Sequence, residues 1–282
     1  MAKTKIEWAE HSWNVITGCT KISAGCKNCY AERMARRLAG RCGYPEAPNH
    51  FDVTFHPSRL SEPFDRTKPT TYFVCSMGDL FHEDVQEMWL QKIFLLMAAI
   101  DRHTFLLLTK RPQRMLDFYN SDWCAALKQL YGLRNIWLGV TAETQAMANK
   151  RIPILLEIPT AAPKFVSCEP LLERIDLQAA GAIYNGVYPN IDWVIVGGES
   201  GPGARPMLPD WAYSIRDQCQ GAGTLFLFKQ WGAWTPHRHE SKQEKYFISG
   251  NNTKVAMWRV GKKKAGRLLG GREYNGFPKW TS

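Results

Sequence analysis

The sequence predicts an α/β protein built as a (β/α) barrel, complete or partial, and three observations carry that prediction. Six short β-rich apolar runs follow one another from residue 71 onward: TYFVCSMGD, HTFLLLTKR, NIWLGVTAE, PKFVSCEP, DWVIVGGES and TLFLFKQ. Each ends in a small cluster of polar or charged residues. With Ser76, Thr109, Thr141, Ser167, Glu199 and Lys229 as markers, the clusters recur at intervals of 33, 32, 26, 32 and 30 residues, the length of one strand-helix unit. The runs are continuously apolar rather than alternating, as strands buried on both faces of a parallel sheet must be. A doubly wound open sheet permits the same alternation and is the competing fold.

In chain order, SWNVIT supplies a seventh strand ahead of the six. CYAERMARRLAGR reads as a helix that ends at Gly40 or Gly43, with Arg33, Arg36 and Arg37 on a solvated face. Residues 44–69 are rich in proline and polar residues and form a long connection with one strand-like piece, FDVTF. Helical patterning covers Asp84 to Ile100, Gln113 to Leu130, Thr144 to Glu157 and Pro209 to Gly221, where Pro209 and Gly221 stand as start and stop signals. Leu171 to Asn190 shows weak periodicity and reads as a loop. Residues 1–234 make up the barrel with its N-terminal cysteine loop, and residues 235–282 are a basic, aromatic-rich C-terminal extension.

The chain has 282 residues, 45% of them hydrophobic, enough for a sizeable core. The start, MAKTKIEW, is hydrophilic, and the longest apolar run, Ile93 to Ile100, is far shorter than the roughly 20 residues of a membrane span. A soluble, cytoplasmic protein with no membrane partner is expected; oligomeric state is left open. Five of the eight cysteines are scattered singly through the chain, which favours reduced thiols over a disulfide framework. Charge is concentrated at one end: residues 235–282 hold eleven Lys and Arg against three Asp and Glu, a net +8 of the total +10.

WNVITGCTKISAGCKNCY, Trp13 to Tyr30, places Cys19, Cys26 and Cys29 in a C-x6-C-x2-C spacing. A C-x2-C pair opening a helix lets two thiolates converge on one metal, and the upstream thiolate closes the face. Structural zinc and electron-transfer clusters take four protein ligands, whereas an iron-sulfur cluster held by three leaves one iron open, in radical enzymes to S-adenosylmethionine. Zinc stands as the alternative if Cys42 is a fourth ligand. The plainest alternative is that the thiols are small buried hydrophobes.

The cysteine loop follows the first strand, at the end of the barrel where chemistry gathers. The other strand ends offer Ser76, Asp79, Lys110, Arg111, Glu143, Glu169, Glu199, Ser200, Lys229 and Gln230. Asp79, Lys110, Glu143 and Glu169 are the candidate catalytic residues. In VIVGGESGPGARP, Gly197 and Gly198 would let the backbone approach a ligand and Glu199 would accept from an ammonium group, although a tight turn explains the same glycines. Asp79 with His82 forms a possible acid-base pair, and His237 and His239 read as surface residues. No nucleophile elbow, phosphate loop or H-E-x-x-H motif is present in the sequence.

From Thr235 onward basic and aromatic residues interleave, among them Lys245, Tyr246, Phe247, Trp258, Arg259, Lys262 to Lys264, Arg267, Arg272, Tyr274, Phe277, Lys279 and Trp280. Cations that screen phosphates beside rings that stack on bases suit single-stranded nucleic acid or a splayed nucleotide. A solubilising basic surface is the bland reading of the same residues.

WNVITGCTKISAGCKNCYAE, FVCSMGDLFHE, LLLTKRPQR, WLGVTAE, FVSCEPLL, VGGESGPGARPM and FKQWGAW, in that order, resemble the phage-associated three-cysteine-motif proteins, a radical-SAM-like family. The resemblance runs from about Trp8 to Pro278. It implies a radical S-adenosylmethionine fold, a [4Fe-4S] cluster on Cys19, Cys26 and Cys29, S-adenosylmethionine as second cofactor, and an electron-donor protein as partner, in the host cytoplasm if the chain is phage-encoded. Usual radical SAM spacing is C-x3-C-x2-C with an aromatic residue before the last cysteine; here the first gap is three residues longer and Asn28 takes that place. The GGE segment comes late, so the second-strand end, Ser76 to Asp79, rivals Gly197 to Ser200 for the cofactor's amino group. A nucleic acid, nucleotide or modified base is the expected substrate. The competing class is a non-enzymatic, metal-stapled nucleic-acid-binding protein.

Overall fold

The computed structural model describes residues 4, 6–184, 190–240, 244–248 and 253–279. Its strands are β1 (His11–Trp13), β2 (Ile16–Thr17), β3 (Thr54–Phe55), β4 (Thr71–Val74), β5 (Thr104–Thr109), β6 (Ile136–Thr141), β7 (Lys164–Cys168), β8 (Trp193–Gly197), β9 (Leu225–Gln230), β10 (Trp234–Thr235), β11 (Glu244–Ile248) and β12 (Lys254–Arg259). Its helices are α1 (Tyr30–Leu38), α2 (Glu87–Ala99), α3 (Pro112–Tyr119), α4 (Asp122–Tyr131), α5 (Gln145–Glu157), α6 (Pro209–Ala222) and the single turn α7 (Lys262–Ala265).

Seven strands form one sheet in the order β1-β4-β5-β6-β7-β8-β9, with parallel neighbours. The order rises without a reversal. A doubly wound sheet reverses at a switch point, so the topology is that of an α/β fold with a seven-stranded parallel half-barrel sheet. Every residue of β6 and of β8 is buried, which is why these runs carry no alternation.

The chain gathers into two compact units. The first contains Met1–Ile22, Cys29–Val140 and Glu157–Lys164. Its core is aromatic: Tyr72 stacks on Phe105 with ring centroids 5.5 Å apart, Trp13 meets Phe105 at 5.8 Å, and Phe94 packs against Phe81, Phe118 and Tyr119. Two expected elements are each divided. SWNVIT does not run as one strand: Asn14 Oδ1 accepts from Met77 N–H and the Ser76 hydroxyl, and the chain turns there, so that β1 joins β4 while β2 pairs antiparallel with β3. Gln113 to Leu130 is two helices, because Ser121 caps α4 by accepting from Cys124 N–H at 3.2 Å.

Buried His56 follows β3, with Nε2 2.8 Å from Thr17 Oγ1. Burial, then the charge of Arg59, lowers its pKa from 6.5 to about 4. The folded state keeps the ring neutral where the unfolded chain protonates it, so the unfolded chain binds more protons below pH 6.5. Stability from this site is therefore lost as pH falls from about 6.5 toward 4, by at most about 3 kcal/mol. Urea midpoints at pH 7 and 5 check it: His56→Gln should flatten that pH dependence, and an unchanged slope contradicts the assignment.

The second unit contains Ser23–Asn28, Thr141–Leu156 and Phe165–Ser282. Helix α6 begins at Pro209 as expected but stops one turn position later, with Gly223 left-handed at φ 73° after Ala222. Between Leu171 and Tyr184 no helix or named strand forms, as expected, and the rest of that loop up to Asn190 lies outside the described residues. The described residues of the extension from residue 235 form strands and a helical turn. Strands β10, β12 and β11 make an antiparallel sheet packed through Met257 onto Ala204, Leu208, Ala233 and Trp234. Residues 274–276 then run back along β9, with Phe228 N–H donating to Tyr274 O and Gly276 N–H to Phe226 O, which protects the sheet edge. Among the described residues no helix is long and apolar enough to cross a membrane.

Candidate functional site

The strand ends of the first unit carry a polar network centred on Arg111. The cysteine loop enters at Gly18, where a φ of +89° and the nearness of Asp52 O, which a Cβ would meet at 2.1 Å, exclude any other residue. One residue later, Cys19 Sγ accepts from Arg111 Nη1 at 3.4 Å. Arg111 Nη2 donates to Thr20 Oγ1 at 2.7 Å, and its remaining donors reach Asp79 (3.3 Å) and Glu83 (2.8 Å). Burial alone would lower the guanidinium's pKa, but Glu83, Asp79 and Cys19 outweigh it and raise it, so a fixed positive charge stands against Cys19.

Asp79 supports this arrangement. Buried, it accepts from the Thr109 hydroxyl (2.7 Å), Phe81 N–H (3.0 Å) and Lys110 N–H (3.2 Å) besides Arg111. His82 Nδ1 accepts from Asp84 N–H, so Nε2 carries the proton and donates to Thr20 Oγ1 at 2.8 Å. Burial first, and Arg111 second, lower the His82 pKa and favour that neutral ring. The two side chains thus engage different partners, Asp79 the guanidinium and His82 the cysteine loop. Ser76 donates to Asn14, and its carbonyl accepts from the Tyr30 hydroxyl.

In the second unit, strand-end carboxylates hold the segment Ser23–Asn28. Glu143, fully buried, pairs with buried Arg151 at 2.8 Å and accepts from Gly25 N–H at 3.3 Å. Glu199 Oε2 accepts from Asn28 Nδ2 (2.9 Å), Arg205 N–H (2.8 Å) and Arg205 Nε (2.9 Å), and Oε1 accepts from Arg205 Nη2 (2.5 Å). Asn28 also donates to Gly203 O, and Arg205 to Ala24 O. Burial would raise the Glu199 pKa, yet hydrogen bonds from Arg205 and then Asn28 prevail and hold the carboxyl below its usual range. It is therefore ionised and fully engaged. Glu169 pairs with Lys229 at 3.2 Å, both half-buried, and Ser200 follows Glu199 half-buried.

The cysteines divide by environment. Cys75, Cys124, Cys168 and Cys219 are buried; burial pushes Cys75 and Cys219 up to about 12 and Cys124 to about 11, and raises Cys168. They are inert core thiols. Cys19, Cys26 and Cys29 are half-exposed, Cys42 is exposed, and none of the eight is in a disulfide. Among the described residues no group of three His, Cys, Asp or Glu side chains is arranged to hold a metal ion. The donor set fits a thiolate-bound cluster by its chemistry: three cysteines on one loop outside any disulfide, one of them facing a fixed guanidinium.

Arg205, Arg151 and Asn28 were not singled out from sequence as functional. Arg205 lies within the GGESGPGARP stretch, six residues from Glu199, and Asn28 between two cysteines, but Asn28's partners Glu199 and Gly203 and Arg205's contact with Ala24 are remote in the chain. Gly197 and Gly198 bring the backbone close to protein groups: a methyl at Gly198 would lie 2.0 Å from Trp231 O, and one at Gly197 2.2 Å from Glu169 Oε1. A carboxylate tip can move and a main-chain carbonyl cannot. Gly198→Ala should accordingly cost about 3 kcal/mol or more and Gly197→Ala about 1, measured by denaturant unfolding; the reverse order would contradict this packing.

No curated protein matches the sequence. Among solved structures, a mutant of spore photoproduct lyase with bound AdoMet and dinucleoside spore photoproduct superposes with a TM-score of 0.51 at 10% identity, over 94% of this chain and 72% of that one. Another point mutant of spore photoproduct lyase gives a TM-score of 0.50 at 11% identity over the same shares. At these identities the likeness establishes the α/β half-barrel fold alone. The model of a family described as "protein of unknown function (DUF5131)" matches residues 3–278, and the chain belongs to that family.

Proposed function

We propose that this chain is a radical S-adenosylmethionine enzyme acting on a nucleic acid, nucleotide or modified base. One observation carries the reading: three half-exposed cysteines, none in a disulfide, share the loop after the first strands of a parallel half-barrel, while four other cysteines are buried. The fold likeness to a protein holding AdoMet and a dinucleoside and the resemblance to the three-cysteine-motif proteins support it.

Cys19, Cys26 and Cys29 would hold a [4Fe-4S] cluster, which would supply the one-electron reduction of S-adenosylmethionine on which radical chemistry at a substrate C–H bond depends. The residues around the loop prepare that site. Arg111 sets a positive charge against Cys19 Sγ; Glu143, Glu199 and Arg205 fix the segment carrying Cys26 and Asn28, and Asp79 fixes Arg111. In this proposal Asp79, Glu143 and Glu199 act as positioning residues. For the carboxylate, amine and ribose of S-adenosylmethionine two rival sets are assigned, Ser76 and Lys110 at the strand ends of the first unit, and Glu169, Ser200 and the backbone at Gly197 and Gly198 in the second.

The test is chemical. Anaerobically reconstituted, dithionite-reduced protein given S-adenosylmethionine should form 5'-deoxyadenosine and methionine in equal amounts. No 5'-deoxyadenosine, with oligonucleotides present or absent, would leave the metal-stapled nucleic-acid-binding module as the better reading.

A further inference from the structure

The aromatic residues of the C-terminal extension separate into two groups. Tyr274 and Phe277 serve the large sheet: the Phe277 ring meets Trp193 edge-on at 4.9 Å, and Tyr274 lies against Phe226 and the guanidinium of Arg272. Phe247 packs on Trp234 at 6.1 Å. Trp280 lies outside the described residues. Tyr246 and Trp258 differ from these.

In the small antiparallel sheet the register sets Lys245 opposite Met257 and Tyr246 opposite Ala256. Side chains alternate along a strand. Met257, Phe247 and Val255 face the core cluster, so Glu244, Tyr246, Ile248, Lys254, Ala256 and Trp258 share the outer face. Tyr246 is 55% and Ile248 62% exposed. Ala256, cross-strand from Tyr246, is too small to cover its ring. Lys254 Nζ lies over one face of that ring, 4.1 Å from its centroid, a cation–π contact.

The charge around this face is one-sided. Residues 244–265 hold six Lys and Arg, namely Lys245, Lys254, Arg259 and Lys262 to Lys264, against one acid, Glu244. Glu244 binds the Tyr246 hydroxyl, which raises that phenol's pKa and keeps the ring neutral. An exposed aromatic ring paired with a lysine, in a strongly basic segment, complements a polyanion with exposed bases; duplex DNA keeps its bases stacked and offers such a face little.

We propose that the outer face of the β10-β12-β11 sheet is a stacking platform for unpaired bases of single-stranded nucleic acid, with Tyr246 and Trp258 taking bases and Lys254 and Lys262 to Lys264 taking phosphates. This deepens the nucleic-acid part of the proposed function and rests on it. It concerns substrate capture, not the radical chemistry.

Fluorescence anisotropy with fluorescein-labelled 12-mer oligothymidine, 12-mer oligouridine and a 12-base-pair duplex, at several salt concentrations, tests it on the full-length protein. Wild type should prefer the single strands. Tyr246→Ala should weaken single-strand binding about tenfold or more with little change in salt slope, and Tyr246→Phe should retain it. Lys262→Gln combined with Lys263→Gln should lower the slope by about 1.4 to 1.8. If wild type binds single strands and Tyr246→Ala binds equally well, the platform is wrong while the nucleic-acid reading survives. If wild type binds none of the probes, both fall.

Discussion

Replacing Arg151 by alanine is expected to lower stability by about 3–5 kcal/mol, because it strands the Glu143 carboxylate, which has no exposure, in the protein interior. The ion pair itself is a poor source of net stability. Desolvating two charges offsets most of their attraction, and a double change of Glu143→Met with Arg151→Met should restore much of what the single change loses. The double variant would still lack the acceptor for Gly25 N–H. Its fold should therefore recover while the segment before Cys26 loosens, read as faster amide exchange at Gly25 and weaker retention of iron. If the double variant retains iron as tightly as wild type, Glu143 does not position the loop. Equilibrium urea unfolding followed by tryptophan fluorescence measures the stability terms.

The second large effect is on chemistry. Changing Cys19, Cys26 or Cys29 singly to alanine should abolish 5'-deoxyadenosine formation, by roughly 10³-fold or more, and changing all three should cost little beyond any single change, since residues acting as one unit are not additive. All three are half-exposed, so the urea midpoint should move by less than about 1 kcal/mol. Changing Cys42 to alanine should leave turnover intact. A zinc staple gives the opposite pattern: lost stability with each cysteine, Cys42 included, and no catalytic loss to measure. Liquid chromatography of quenched reactions, paired with unfolding curves, separates the two.

Strands β4 to β9 were legible because burial on both faces leaves nothing but apolar runs, and each run ends where polar residues resume. The divided elements were less so, although a signal existed for each. Asn14 is a polar residue inside SWNVIT, and Ser121 before Asp122 is a helix start inside an otherwise helical stretch. Strand-end acids were legible as a set, since Asp79, Glu143, Glu169 and Glu199 all follow apolar runs. Their partners were not. Glu143 meets Gly25 and Glu199 meets Asn28 across more than a hundred residues of chain, and no spacing rule connects such pairs. The glycines of GGES suggested close approach, and close approach is what the structure has, but to Trp231 O and Glu169.

Anaerobic reconstitution with iron and sulfide, followed by electron paramagnetic resonance of the dithionite-reduced protein, tests the central claim most directly. The protein should turn brown and take up about four iron and four sulfide per chain, with a signal from a reduced [4Fe-4S] cluster that shifts when S-adenosylmethionine is added and is lost in the Cys19, Cys26 and Cys29 variants. A colourless protein holding one equivalent of zinc, with no iron signal after reduction, would contradict it.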